Sequence, residues 1–305
     1  MAKSSNSALV ILAFFAIYVI WGSTYLLNKI AVLELEPFML ASFRFTLAGL
    51  CIFLLAKIMG TSLRITKEQL LNTLIAGVLF LSIGNGLVVW ALRYVDTGFA
   101  ALEISSQPLI ILLLMRVLQG KKIQPMSVVG VVFGIIGIYL LVSQKQIIAQ
   151  EESIVGMIMI FFCMFCWAYA SLFVAKADLP TNYFVNTGYQ MFFAGLVLSL
   201  MSLGFGEEWT SPLAWEGKVQ LAMVLLIFLG SIVAFTSFNY LLKAVSPEKV
   251  ATSTYVNPIV ALLLGWYFLD EKITLQSIIA AAILLTGVYF INTKKTLAIF
   301  ERFKR

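Results

Sequence analysis

VVWALRYVDTGFAALEISSQPLIILLLMRVLQGKKIQPMSVVGVVFGIIGIYLLV, residues 88–142, is read a second time in diverged form at residues 238–292. The two stretches align without a gap at an offset of 150. Twelve of the 55 pairs are identical, including Pro108/Pro258, Lys122/Lys272, Ile123/Ile273, Ser127/Ser277, Gly137/Gly287 and Tyr139/Tyr289. Upstream the offset is 146, where Trp21 meets Trp167 and Ala48-Gly49-Leu50 meets Ala194-Gly195-Leu196. Shared apolar composition accounts for some identities, but it does not put Pro, Trp and Gly in register. Each copy holds five apolar runs. Five is odd, so the second copy enters a membrane from the side opposite to the first. Such an inverted repeat is the architecture of alternating access, in which two similar packings open a midplane site to either side in turn.

The rest of the chain fits that reading. Of 305 residues, 61% are hydrophobic and only 12% charged, and the mean hydropathy is +0.97. A soluble domain carries about twice that charged fraction, so a soluble enzyme is excluded; so are collagen-like, disordered and disulfide-scaffold classes. About 20 apolar residues cross the hydrocarbon core as a helix. Ten runs qualify, at roughly 8–28, 37–58, 69–92, 97–118, 124–143, 154–175, 183–204, 217–242, 247–269 and 274–292. The run after Lys3 is too long for a signal-peptide core and is read as a retained helix. With the N-terminus in the cytoplasm, 15 of the 21 basic residues fall on that side and five on the other. That bias, with the even span count, puts both termini inside. The expected fold is therefore all-α integral membrane: ten transmembrane helices in two inverted five-helix repeats (8–143 and 154–292), then a basic cytoplasmic tail, 293–305. The tail reads as a stop-transfer anchor, with anionic lipid as a further contact.

The chain also resembles a known family. Ile20-Trp21-Gly22-Ser23-Thr24-Tyr25, Ser42-Phe43-Arg44-Phe45, Val245-Ser246-Pro247, Tyr255-Val256-Asn257-Pro258 and Leu269-Asp270-Glu271-Lys272 are similar to motifs of the EamA group of the drug/metabolite transporter superfamily. Within it the first span and Gly84-Asn85-Gly86 look most like the YedA-like transporters. Asp270 stands where the group often has Gly. The resemblance covers nearly the whole chain as two EamA units. It implies ten helices, secondary transport, commonly export of amino acids or other small metabolites, and a plasma membrane, the bacterial inner membrane.

Two charges lie well inside spans, Arg44 and Glu103, each about 10 Å below the outer boundary at 1.5 Å per residue. Equal depth and opposite sign suit a buried ion pair; the competing reading puts one or both in a cavity against a charged substrate or proton. Their repeat counterparts, Gln190 and Ser253, are uncharged. Glu103, as the only deep carboxylate, is the candidate for proton coupling. Glu103 and Gln107 precede Pro108 at a spacing of four, as Ser253 and Asn257 precede Pro258. Each pair shares a helical face, and each Pro loosens the turn before it. Paired helix breaks mark binding sites in transporters of this architecture, although a kink that only aids packing gives the same pattern. Tyr18, Trp21, Tyr25 and Asn28 form one stripe, which Trp167 continues in the second copy; packing is the simpler account of the rings, but the buried amides of Asn28, Asn85 and Asn239 need partners. Trp90, Tyr189 and Tyr255 are weaker candidates.

Other signals point away from chemistry. The chain has no His, and Cys51, Cys163 and Cys166 read as packing. Gly130 and Gly134 form a G-x-x-x-G packing face within the monomer or at a homodimer contact. No phosphate-binding loop, metal cluster or nucleophile–base set is visible, so no cofactor is expected. The expected partners are a small-molecule substrate and the lipid bilayer, without nucleic acid, for a monomer or homodimer. The expectation is a transporter rather than an enzyme. The alternatives are a membrane-embedded enzyme and a non-transporting receptor or structural protein.

Overall fold

The computed structural model describes residues 7–120, 124–144, 151–245, 250 and 253–292. The basic tail at 293–305, Lys3, Lys122 and the segment through Ser246-Pro247 lie outside the described residues. Among those described there are ten helical rods and no strands. We number them α1 (Ser7–Val32), α2 (Pro37–Ile58), α3 (Lys67–Ala91) and α4 (Thr97–Gln119), then α5 (Pro125–Val142), α6 (Glu151–Val174) and α7 (Tyr183–Gly204). Next come α8, built from Gly217–Leu225, Leu226–Val233 and Ala234–Ala244, then α9 (Ser253–Leu269) and α10 (Leu275–Asn292). Seven of the rods are long and apolar enough to cross a membrane, whereas the apolar described parts of α5, α9 and α10 are shorter. Large apolar side chains such as Ile11, Leu54, Val117, Leu200 and Tyr267 stand exposed on the outer faces of the rods, where lipid rather than water is the solvent that tolerates them.

The rods start and stop where local chemistry directs. Pro37 and Pro125 occupy first-turn positions, where the missing N–H costs nothing. Thr66 and Gln69 close a capping box on α3, and Asn182 accepts from Phe184 and Val185 at the start of α7. Past four rod ends the chain turns through positive φ: Gly60 at 68° and Gly206 at 72°, Gly120 at 64° and Asp270 at 55°. Gly60 and Gly206 are 146 apart; Gly120 and Asp270 are 150 apart. Asp270 thus stands at a left-handed position that glycine adopts freely and aspartate tolerates at some cost.

Three rods contain a widened π turn: Ala16–Ile20 in α1, Val78–Asn85 in α3 and Leu226–Val233 in α8. α3 and α8 are the third rods of the two sequence copies.

Packing between the copies is reciprocal. Along α2 and α7, Ser42 meets Ser199 at 2.6 Å, while Thr46 faces Gly195, Gly49 faces Phe192 and Phe53 faces Gly188. Numbers rise on one helix as they fall on the other, so the two rods run antiparallel. Each contact also returns under the 146-residue offset: Gly49 on Phe192 becomes Gly195 on Thr46. Along α5 and α10, Gly137 faces Leu284 and Gly287 faces Gly134, again antiparallel and again reciprocal, at an offset of 150. The G-x-x-x-G face is therefore a packing face inside the chain. Around these two pairs, α1 lies on α8 and α9 while α6 lies on α3 and α4.

One end of the molecule is tied by helix caps. Glu207 accepts from the N–H groups of Phe38 (3.0 Å) and Met39 (2.7 Å) at the start of α2. Glu271 accepts from Thr97 N–H (2.8 Å), Thr97 Oγ1 (2.8 Å) and Gly98 N–H (3.3 Å) at the start of α4. Lys29 Nζ donates to the carbonyls of Leu92 (2.6 Å) and Val95 (3.0 Å) beyond α3. Arg93 donates to those of Val32 and Leu35 and pairs with Glu36 at 3.1 Å. Anions sit at helix N-termini and cations at C-termini, as the backbone dipoles favour. Burial raises the Glu271 carboxyl above its ordinary pKa, opposed by its bonds from Thr97.

Candidate functional site

A cavity of about 260 Å³ runs between the rods and draws its walls from α1, α2, α3, α4, α6, α7, α8 and α9. Nine of the candidate substrate-binding residues read from the sequence line it: Trp21, Tyr25, Asn28, Arg44, Asn85, Gln107, Trp167, Ser253 and Asn257. Asn28, Arg44 and Asn85 come from rod segments near the capped end. Ser171, Phe238 and Val250, also in the lining, come from segments near the opposite end.

Arg44 is the centre of the polar end. It is 3% exposed. Its Nε donates to Ser231 Oγ at 2.8 Å, and its Nη1 donates to Asn28 Oδ1 and Asn85 Oδ1, each at 3.3 Å. Its Cζ lies 4.8 Å from the Phe45 ring centroid. Asn85 and Ser231 are 146 apart, each near the end of a π segment. The guanidinium is thus gripped by corresponding positions of the two copies.

Trp21 and Trp167 meet edge to face, centroids 6.2 Å apart, with Phe235 and Phe238 against Trp21 at 6.3 and 5.1 Å. Trp21 Nε1 donates to Gly230 O at 3.2 Å, a carbonyl within the α8 π segment. Its counterpart Trp167 packs over Gly84, 3.3 Å from where a Cβ would stand, in the α3 π segment. Asn257, in the amide orientation that its surroundings dictate, donates to the carbonyls of Ile17 and Tyr18, both at 2.9 Å. These lie in the π segment of α1. Widened turns loosen the regular carbonyl ladder, and an indole and an amide take up the carbonyls at two of them.

At four points the described structure differs from one of the sequence readings. Arg44 and Glu103 form no ion pair among the described residues; the guanidinium is instead held by neutral oxygens. Glu103 does not line the cavity. It is buried, and its Oε2 has no hydrogen-bond partner among the described residues. The reason is local: α4 is interrupted at Ser105 and Ser106, whose hydroxyls bond back to the carbonyls of Leu102 and Glu103 at 2.6 Å each. Glu103 and Gln107 therefore lie on opposite sides of a break and lose the four-residue register that an unbroken helix imposes. Asn239 is also outside the lining. Its Nδ2 donates to Thr187 Oγ1 at 2.8 Å and ties α8 to α7. Lastly, Pro258 is no break: it lies inside α9, which is continuous over its described length, whereas Pro108 follows a real interruption and lines the cavity. Ser253 and Asn257 keep their shared face for that reason. Trp90 and Tyr189 do not line the cavity either, and the Tyr255 side chain is outside the description.

Sequence reading missed Ser231, Gly230, Thr24, Met164, Phe235 and Phe238 as lining residues. Nothing local marks them, except that Gly230-Ser231 aligns with Gly84-Asn85 once the 146-residue offset is carried into the third rod.

Helices with lipid-facing outer surfaces around an internal, largely apolar cavity with one fixed cation define a membrane protein of the transporter class. The comparisons give that class a family. The model of the EamA-like transporter family matches residues 8–143 and 154–293. The inner membrane transporter YedA of Escherichia coli K12 is 33% identical over 286 residues, covering 93% of this chain and 91% of YedA. A protein of the same strain named "Probable amino-acid metabolite efflux pump" is 23% identical, with 90% of this chain and 91% of that protein covered. A crystal structure 20% identical superposes with a TM-score of 0.66 over 99% of this chain and 100% of the other, a likeness of fold. The chain belongs to the EamA-like transporter family and is a membrane transporter.

Proposed function

We propose that the chain is a secondary transporter of the bacterial inner membrane that exports amino acids or other small metabolites by alternating access. In this reading ten helices span the bilayer as two inverted repeats, 8–143 and 154–292, with both termini cytoplasmic. The observation that carries it is the reciprocal antiparallel packing of α2 on α7 and α5 on α10, since repeats related in this way have two near-equivalent packings available. YedA, by its name an inner membrane transporter, and the relative named as an efflux pump support the location and direction. With the more basic side cytoplasmic, the capped end faces outward and the opposite end of the cavity faces the cytoplasm. Substrate is held by the nine lining residues named above. Glu103, a deep carboxylate one turn from the lining with an unpartnered oxygen, couples the cycle to protons.

Proteoliposomes test both levels. Purified protein, loaded with a panel of labelled amino acids and metabolites, is expected to release at least one solute, faster with a proton gradient directed against export. Glu103→Gln is expected to remove the gradient dependence and keep downhill exchange. An unchanged gradient dependence in that variant rejects Glu103 as the coupling group; absence of flux across the whole panel removes support for transport of those solutes.

A further inference from the structure

Resting on the transporter reading, we infer that the cargo is a small monocarboxylate with an apolar or aromatic body, and that Arg44 holds its carboxylate. The cavity lining contains one charged side chain among the described residues, Arg44, and no Asp, Glu or Lys. Its three hydrogen bonds all go to neutral oxygens, and they use Nε and Nη1. Nη2, with two N–H groups, has no partner among the described residues. A guanidinium is always charged, and a buried charge without a counterion is costly at this depth. The groups that position Arg44 therefore orient the charge without cancelling it. A net anion complements this charge, and the Nη2 N–H groups left over can donate charge-assisted hydrogen bonds to a carboxylate oxygen.

The remainder of the lining says what the anion is attached to. Trp21, Trp167, Phe235 and Phe238 form one aromatic wall, which suits a ring or a branched alkyl group. The described lining offers no carboxylate for an ammonium group. A net anion is thus matched better than a zwitterion or a cation, and one deep cation matches one negative charge rather than a phosphate dianion.

The test uses the full-length protein in detergent at neutral pH and constant ionic strength, with thermal unfolding titrated by matched probes. These are phenylacetate, phenylacetamide, phenethylamine and phenylalanine, the set 3-methylbutanoate, 3-methylbutanamide and 3-methylbutylamine, and sodium chloride against sodium gluconate. At least one carboxylate is expected to bind roughly tenfold or more tightly than its amide and amine, the scale of one charge-assisted hydrogen bond. Arg44→Gln is expected to bring carboxylate and amide within about twofold while amide binding persists. Because that variant risks misfolding, Asn85→Asp gives a second measure: it puts an internal carboxylate beside Nη1, and is expected to keep or raise the unfolding temperature while abolishing the carboxylate preference. The inference is overturned if amides or amines bind as tightly as their carboxylates, if phenylalanine outbinds phenylacetate, if chloride competes equally, or if the preference survives in Asn85→Asp. Flux in proteoliposomes separates the two levels: a carboxylate that binds but does not cross counts against transport and leaves the anion site standing, whereas flux of amines or amides alone does the reverse.

Discussion

The two halves of this chain keep their scaffold and change their chemistry. Gly49 and Gly195 press on Phe192 and Thr46 in reciprocal positions, and Trp21 and Trp167 stand against the glycines Gly230 and Gly84. Yet Arg44 corresponds to Gln190, Glu103 to Ser253, and Asn85 to Ser231. Close packing of antiparallel rods needs a small residue on both sides of the axis, so a change on one side is felt by the other. A binding group needs only one copy in the cavity. Among these departures, Arg44 is the one that brings a charge into the cavity lining.

The sharpest way to break this comparison is to attack a scaffold pair. A Cβ on Gly195 would stand 2.6 Å from Thr46 N, so Gly195→Leu is expected to abolish folded protein. Gly204→Leu, where nothing lies within 4 Å, is expected to leave the yield and size-exclusion profile unchanged. Equal behaviour of the two variants would refute the close approach of α2 and α7.

An intermediate effect separates the two amides expected to behave alike. Asn257→Ala strips two carbonyls of the α1 π segment of their donor and is expected to cost about 1–3 kcal/mol as well as transport. Asn239→Ala loses one bond to Thr187 outside the cavity and is expected to lower the unfolding temperature while sparing flux at equal folded amount. Flux loss in both would return Asn239 to the site.

The smallest effect concerns the turn after α9. Asp270 holds a left-handed conformation where Gly120 stands in the first copy, so Asp270→Gly is expected to stabilise by up to about 1 kcal/mol, and Gly120→Asp to destabilise by a similar amount. Thermal unfolding of both checks the sign.

Much of this was legible from sequence for simple reasons. Apolar runs of about 20 residues have few solutions besides membrane helices, and a glycine or tryptophan repeated in register has to serve a shared geometry. Amides such as the buried Asn28 and the half-buried Asn85 announced themselves because an amide in an apolar run needs a partner. Glu103 falls outside the lining that periodicity predicts for it: periodicity assumes an unbroken helix, whereas the chain is interrupted at Ser105 and Ser106, whose hydroxyls bond back to Leu102 and Glu103. Phe235 and Ser231 were invisible because an aromatic or a serine in an apolar helix is ordinary; only their facing rods give them a role. The π segments have no compositional mark at all.

The helix caps at one end of the molecule carry a consequence for the chain as a whole. The carboxylates that cover the N–H groups opening α2 and α4 come from Glu207 and Glu271, both beyond residue 200, while both helix starts belong to the first half. An N-terminal fragment produced alone would begin these two helices without the carboxylates that accept from their N–H groups here. The start of each of these first-half helices is thereby tied to a residue of the second half.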